Sequence, residues 1–245
     1  RRDGSKLTTP VHTAGGWHCL MGLGGSPVAS TFPGTSLAWV ACDELAGDGT
    51  NVIGIQHGGD VAAATKHILN VGASMVAAAG APWQAKLVDL QGYYKLSGTD
   101  VTGTGSRTLT GTPSMRYTNG VGCEAFFVVG TAPTAGGPNL TASSYTNTTS
   151  TAGRSFQGSP TMGAAADAYA GRILHSGNAA GRYGPFLPKQ AGDTGIKSIE
   201  SFTFSGGTAY TGSGVLALCI ARPLLDISIP VTGMWSERDL VNQLP

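Results

Sequence analysis

Val121–Val129 reads VGCEAFFVV and Val215–Ala221 reads VLALCIA. In the first, Val121, Cys123, Ala125, Phe127 and Val129 alternate with Gly122, Glu124, Phe126 and Val128, so a strand of period two has one wholly apolar face and one mixed face. The second is apolar at every position, the pattern of a strand covered on both sides and therefore central in its sheet. Together they predict an antiparallel β-sandwich with Cys123, Phe127, Val129, Leu216, Leu218 and Ile220 in its core.

Outward from these two runs the same reading repeats. WQAKLVDLQGYYKL, SRTLTG, NLTASSYTNT, AGRILHSG and KSIESFTFSG are short strand-like runs, each closed by Gly, Pro, Asn or Asp, as in sandwiches and barrels. Composition agrees. Charged residues make up 12% of the 245 positions, about half the usual quarter, and the chain has 38 Gly. Gly, Thr and Ser build turns and strand faces, whereas long helices need Ala, Leu, Glu and Lys runs that are scarce here. No repeat of solenoid length is present.

Residues 1–34, with Pro10, Pro27 and Pro33 among repeated Gly, hold neither period for long and read as an extended N-terminal arm. In residues 35–84, SLAWVACDE (Ser36–Glu44) and VIGIQHG (Val52–Gly58) are strand-like. DVAAATKHILN (Asp60–Asn70) has an acidic start and Val61, Ala64 and Ile68 at helical spacing, which predicts a short helix. Near the end, Ser236-Glu237-Arg238-Asp239 fits a capping box before LVNQL and predicts a second one. The expected fold is therefore all-β: an antiparallel, jelly-roll-like sandwich over residues 85–245, with its strands roughly between 85 and 230. A strand and short-helix section, 35–84, packs on it, and the arm precedes both.

The stretch HTAGGWHCLMGLGGSP, His12–Pro27, resembles protease machinery at first sight, with His18-Cys19 and then Ser26 in a glycine-rich turn. Acyl transfer needs base, orienting acid and nucleophile within hydrogen-bond reach of one another, beside an oxyanion hole. Ser26 follows His18 too closely and is succeeded by Pro27; Ser205-Gly-Gly closes a strand, where turn chemistry accounts for it. No catalytic residue is assigned. His12, His18, His57, His67 and His175 show no metal-ligand spacing, and His57 and Asp60 flank a glycine turn, so no metal site is expected. Glycine runs at Gly22 and Thr102 lack the strand-to-helix setting of a phosphate loop, and no cofactor is expected.

A net charge of +1 with interspersed signs gives no footprint for nucleic acid. The most apolar run, Val71–Trp83, is too short and too rich in Gly and Ala for a bilayer, and the N-terminal RRDGSKLTTP has no apolar export core, so no membrane partner is expected. Cys19, Cys42, Cys123 and Cys219 are widely spaced and read as small buried hydrophobes. Asn139-Leu-Thr141 and Asn147-Thr-Thr149 match the glycosylation sequon but read as strand and turn residues. Tyr93-Tyr94 and Tyr183 are the best exposed-aromatic candidates, read as rim packing.

Several phrases are more specific than composition: PGTSLAWVACDE, IQHGGDVAAATKHIL, KLVDLQGYY, SMRYTNGVGCEAFFVV, YGPFLPKQAGDTGIKSI, ARPLL and SERDLVNQLP. In this order, over about Thr9 to Pro245, they resemble virion structural proteins of tailed bacteriophages and their prophages. The resemblance implies a non-enzymatic particle component, localised to the virion and assembled in the bacterial cytoplasm. Phage head decoration, or cement, proteins are often jelly rolls that trimerise and lay arms across neighbouring capsid subunits. The expectation is thus a capsid cement subunit that stabilises the head, with its own copies (a homotrimer) and the major capsid protein or other virion proteins as partners. The alternative is a tail, neck or fibre component contacting a host receptor or carbohydrate. A major capsid protein of the usual type is disfavoured for want of a long spine helix. Within the arm, Val11, Trp17, Leu20, Met21, Leu23, Val28 and Phe32 are the expected inter-subunit contacts, because apolar surface left in water costs about 25 cal/mol per Å².

Overall fold

The computed structural model describes residues 5–6, 16–22, 25–26, 30–42, 70–74, 82–101, 105–135, 137, 139–157, 169–174, 184–205 and 214–239. Its strands are β1 (Ser5–Lys6), β2 (Gly25–Ser26), β3 (Trp39–Ala41), β4 (Asn70–Ala73), β5 (Trp83–Ser97), β6 (Ser106–Thr108), β7 (Glu124–Thr131), β8 (Asn139–Asn147), β9 (Ile196–Ser205), β10 (Val215–Ile229) and β11 (Ser236–Asp239). Among the described residues the one helical element is a 3₁₀ turn at Leu20–Gly22. The chain separates into two compact units: Arg1–His57 with Leu90–Ala221, and Gly58–Asp89 with Arg222–Pro245.

The larger unit is the antiparallel sandwich. One sheet has the order β3-β5-β10-β7 and the other β6-β9-β8. In the β7–β10 ladder Leu216 opposes Val129, Leu218 opposes Phe127 and Ile220 opposes Ala125. These side chains share one face and meet Leu140, Tyr145, Phe202 and Phe204 of the second sheet in a single core, with the Phe127 and Phe204 rings 6.3 Å apart. All six residues expected in the core are in it, each at most 1% exposed. Burying a side chain of Leu or Phe size contributes roughly 1.5–3 kcal/mol, so these pairs carry much of the fold.

The opposite face of β7 and β10 is also covered, which is why VLALCIA carries no polar residue. Phe126 packs edge-on against Phe186 at 5.8 Å, and Phe32 meets Tyr93 of the same sheet edge-on at 5.3 Å. This second covering corrects the reading of Tyr93 and Tyr94 as exposed or rim aromatics: both are 1% exposed. Neighbouring residues in a strand point to opposite faces, and here each face has a layer over it. Tyr93 donates from its hydroxyl to Pro33 O at 2.6 Å, while Tyr94 lies in the inter-sheet core against Trp39. Tyr183 lies outside the described residues.

Parts of the arm join the same body. The free edge of β7 is extended by residues 171–174, with Val129 N donating to Arg172 O (2.9 Å) and Leu174 N to Phe127 O (3.1 Å). Residues 17–19 form the next ribbon, through Cys19 N to Gly171 O (2.7 Å) and Ile173 N to Trp17 O (3.1 Å).

In the smaller unit β11 pairs antiparallel with β4, Ser236 opposite Ala73 and Asp239 opposite Asn70. This overturns the reading of Ser236–Asp239 as a helix-capping box, while the LVNQL run expected to form the helix lies outside the described residues. A ladder partner supplies the backbone bonds that a helix would make internally, and side chains reinforce it: Asn70 Nδ2 donates to Glu237 Oε1 (2.6 Å) and Trp235 Nε1 to Glu237 Oε2 (3.0 Å). The Trp235 ring lies over Gly72, where a Cβ would come within 2.2 Å of it. The expected helix at Asp60–Asn70 and strand at Val52–Gly58 fall on residues outside the description, apart from Asn70, which opens β4.

Candidate functional site

Two features of the described residues stand out for what they do with polar and apolar groups. The first is a carboxylate knot at one end of the sandwich. β8 ends at Asn147, whose Oδ1 accepts from the N–H groups of Thr149 (3.1 Å) and Thr151 (2.9 Å), turning the chain back so that Arg154 pairs with Tyr145 through both backbone groups. That brings Tyr145, Asn147 and Arg154 together around Asp193, which stands shortly before β9. Tyr145 donates to Asp193 Oδ2 (2.5 Å), Asn147 Nδ2 to Oδ1 (2.7 Å), Arg154 Nε to Oδ2 (2.9 Å) and Arg154 Nη2 to Oδ1 (3.2 Å).

The Asp193 side chain is only 4% exposed. The bidentate Arg154 guanidinium, then the Tyr145 hydroxyl and the Asn147 amide, hold its carboxyl at about 2, well below the usual range. Burial, and then its bond to the carboxylate, push the Tyr145 hydroxyl up to about 12. Four hydrogen bonds thus converge on one carboxylate, and a carboxylate so fully bonded is a fastener rather than a base. The sequon residue Asn147 has its amide engaged on both sides, which agrees with its reading as a turn residue.

The second feature is apolar. Leu224, Val231, Met234 and Trp235 of the smaller unit are 46%, 55%, 53% and 56% exposed. Val231 and Met234 bracket a turn closed by Met234 N donating to Val231 O at 3.3 Å, with Gly233 at φ +78°. Trp235 follows, fixed by Gly72 below it and by Glu237 at its indole N–H. A rigid aromatic that is half in water is the kind of group that anchors protein contacts.

The residues expected to contact neighbours divide. Leu20 is 55% exposed, Trp17 and Met21 are half-buried, and Phe32 is 0% exposed in its own chain. Val11, Leu23 and Val28 lie outside the described side chains. The two residues of the supposed protease pair belong to different pairings: His18 bridges to Arg172 and its ring stacks on Tyr169 at 5.5 Å, whereas Ser26 sits in β2 opposite Ser5. His12, His57, His67 and His175 are not among the described residues. Among those that are, no group of three or more His, Cys, Asp or Glu is arranged to hold a metal ion.

Sequence reasoning found neither feature. The knot joins residues from 145 to 193, a separation that no local motif encodes. The Met234-Trp235 pair is visible as a run of apolar residues, but a chain position alone does not tell exposed from buried. No family model, curated protein or solved structure matches this chain.

Proposed function

We propose that this chain is a non-enzymatic structural subunit of a tailed-phage particle, a cement or decoration protein that assembles with its own copies on the head and binds the major capsid protein. The reading rests on the phage-like phrases of the sequence and, in the structure, on one observation: of the six large hydrophobics exposed among the described residues, four, Leu224, Val231, Met234 and Trp235, fall within twelve positions of the smaller unit. Large exposed apolar residues close together in the chain are a mark of interaction sites. A sandwich body poor in charge, carrying a fixed aromatic, suits lasting contact with a neighbouring subunit better than it suits turnover. Closed cyclic assembly, here a trimer, would limit growth into filaments.

The test is assembly. Purified protein is measured by sedimentation and native mass, and then mixed with heads that lack decoration. Trimers that bind lattice sites on the shell, with binding weakened at least tenfold by Trp235→Ser with Met234→Ser, are the expected result. Density confined to a ring or spike at the tail supports the tail, neck or fibre alternative. A protein that remains monomeric and ignores both heads and tails overturns the proposal.

A further inference from the structure

Arg172 is 5% exposed, and its backbone is fully engaged, the N–H donating to Tyr169 O at 3.0 Å and the carbonyl accepting from Val129 N at 2.9 Å. Its guanidinium is less so: Nη1 is shielded from solvent and has no hydrogen-bond partner among the described residues. The ion pairs among the described residues join Lys86 to Asp226, Arg154 to Asp193 and Lys189 to Glu124, and none reaches Arg172. The contrast with Arg154 is instructive: there the same fork is filled by a carboxylate on both prongs.

A buried charge without a counter-ion is unfavourable, and most side chains escape it by losing the charge. Arginine does not have that route, because it stays protonated at any ordinary pH. The missing partner is therefore an anion, and the surroundings suit one. His18 stands directly opposite Arg172 in an antiparallel bridge, so the two side chains leave the same face of the ribbon. The His18 ring is stacked on Tyr169, whose hydroxyl lies 3.3 Å from Nε2. The imidazole and the phenol are already bonded to each other, and Nη1 of the guanidinium is the donor left without a partner among the described residues.

We propose that Arg172, with His18 and Tyr169 beside it, forms a site for a small oxyanion of the phosphate class. Its near-complete burial favours a free ion over a phosphate carried on a polymer, and the planar fork of Arg172 favours an oxyanion over a halide. By neutralising Arg172, the ion would fasten residues 17–19 and 171–174 to the edge of β7. The site does not depend on the particle role proposed above, since its readout is made on the isolated protein.

The experiment compares thermal unfolding and ¹⁵N-resolved NMR of the purified protein in inorganic phosphate, sulfate, acetate and chloride at matched ionic strength. Phosphate is expected to raise Tm saturably and to shift the His18 ring and Arg172 side-chain resonances along one binding curve, with sulfate next and chloride without effect. Arg172→Gln is expected to lose the phosphate response, while Lys86→Gln, which removes a cation that already has Asp226 as its partner, keeps it. Identical behaviour of the wild-type protein in phosphate and chloride overturns the proposal, as does a phosphate response that survives Arg172→Gln. The wild-type comparison decides even if the variant does not fold. An effect of acetate equal to that of phosphate assigns the site to a carboxylate and overturns the phosphate class.

Discussion

Arg154 meets Asp193 fork to fork, Nε to Oδ2 at 2.9 Å and Nη2 to Oδ1 at 3.2 Å, and so ties the turn after β8 to the turn before β9. Tyr145 and Asn147 complete the coordination of the same carboxylate. The two strands already share a ladder from Asn139–Ser205 to Asn147–Ile196, interrupted by shifts of register near Tyr145 and Asn147. The knot sits at that irregular end, where the ladder itself is weakest.

The acid behaviour of the fold follows from it. A free Asp titrates near 3.9, whereas Asp193 in the folded chain is held at about 2. The folded state thus binds its proton more weakly than the unfolded state, so the contribution is complete above about pH 4 and is lost as pH falls toward about 2. Denaturant titrations from pH 2 to 7 are expected to show stability dropping through that window, with the drop reduced in Asp193→Asn. Equal slopes in the two proteins would remove Asp193 as the cause.

Tyr145→Phe isolates one bond of the knot while keeping the ring, which is stacked on Phe156 at 4.6 Å. The hydroxyl both donates to Asp193 and accepts from Gln190 N at 2.9 Å, so its removal takes one of four donors from the carboxylate and strands a backbone donor. A loss of about 1–3 kcal/mol is expected from chemical denaturation. A change of less than about 0.5 kcal/mol, the range of ordinary surface substitutions, would show the knot to be slack.

The sandwich was legible in the sequence because period-two alternation and a doubly apolar run are direct images of one-sided and two-sided burial. Cys123 to Val129 and Leu216 to Ile220 needed nothing else. Ser236–Asp239 misled because Ser-x-x-Asp is a local signal, while the partner that makes it a strand, Asn70–Ala73, lies far away in the chain. Tyr93 and Tyr94 misled for a related reason: the residues that cover Tyr93, Phe32 and Pro33, come from a segment with no period of its own. Arg172 and Asp193 look alike as isolated charges in a sequence, and only the fold shows that Asp193 takes four donors while Nη1 of Arg172 has no hydrogen-bond partner among the described residues.

Gly120 and Gly195 are predicted to be intolerant of any side chain. Gly120 has φ +68°, and a Cβ on it would come within 2.1 Å of Ile196 O; a Cβ on Gly195 would come within 2.0 Å of Gly120 O. The obstacles are backbone atoms at the Val121–Gly195 bridge, which cannot swing aside as a side chain does. Gly120→Ala is expected to cost at least the 1–3 kcal/mol typical of overpacking, read as a lowered Tm or as loss of soluble protein. Gly153→Ala is the control, because its φ of +72° is similar but nothing lies within 4 Å of the added atom. Equal effects at the two sites would put the cost down to backbone strain rather than crowding.

The thiols are expected to react in two classes. Cys123 and Cys219 are 0% exposed, whereas Cys19 and Cys42 are partly accessible, and none of the four is in a disulfide. Burial first, then the nearby Cys19 and Cys42, push the Cys219 thiol up and keep it from forming the reactive thiolate. Alkylation under native conditions, followed by peptide mapping, should therefore label Cys19 and Cys42 early and Cys219 only on unfolding. Early modification of Cys219 would mean that the outer layer of the sheet opens readily.

The last prediction separates the two roles of the arm. Phe32 is 0% exposed, edge-on to Tyr93, and so close to β7 that a Cβ on Gly130 would fall 2.7 Å from its Cδ2. Phe32→Ala is expected to cost about 3–5 kcal/mol, the usual price of a large core truncation, and the cost should not depend on protein concentration because the contact is within one chain. Leu20, 55% exposed in the same arm, should behave oppositely: Leu20→Ser leaves the stability of the dilute monomer within about 0.5 kcal/mol and weakens only association. The pairing with Gly130 supplies the internal check. Gly130→Ala alone is destabilising through its collision with the Phe32 ring, and combining it with Phe32→Ala should cost less than the sum of the two, because truncation makes the room that the new methyl needs. Simple additivity in that cycle, or a Phe32→Ala penalty that fades on dilution, would show that Phe32 is not anchored on its own β7.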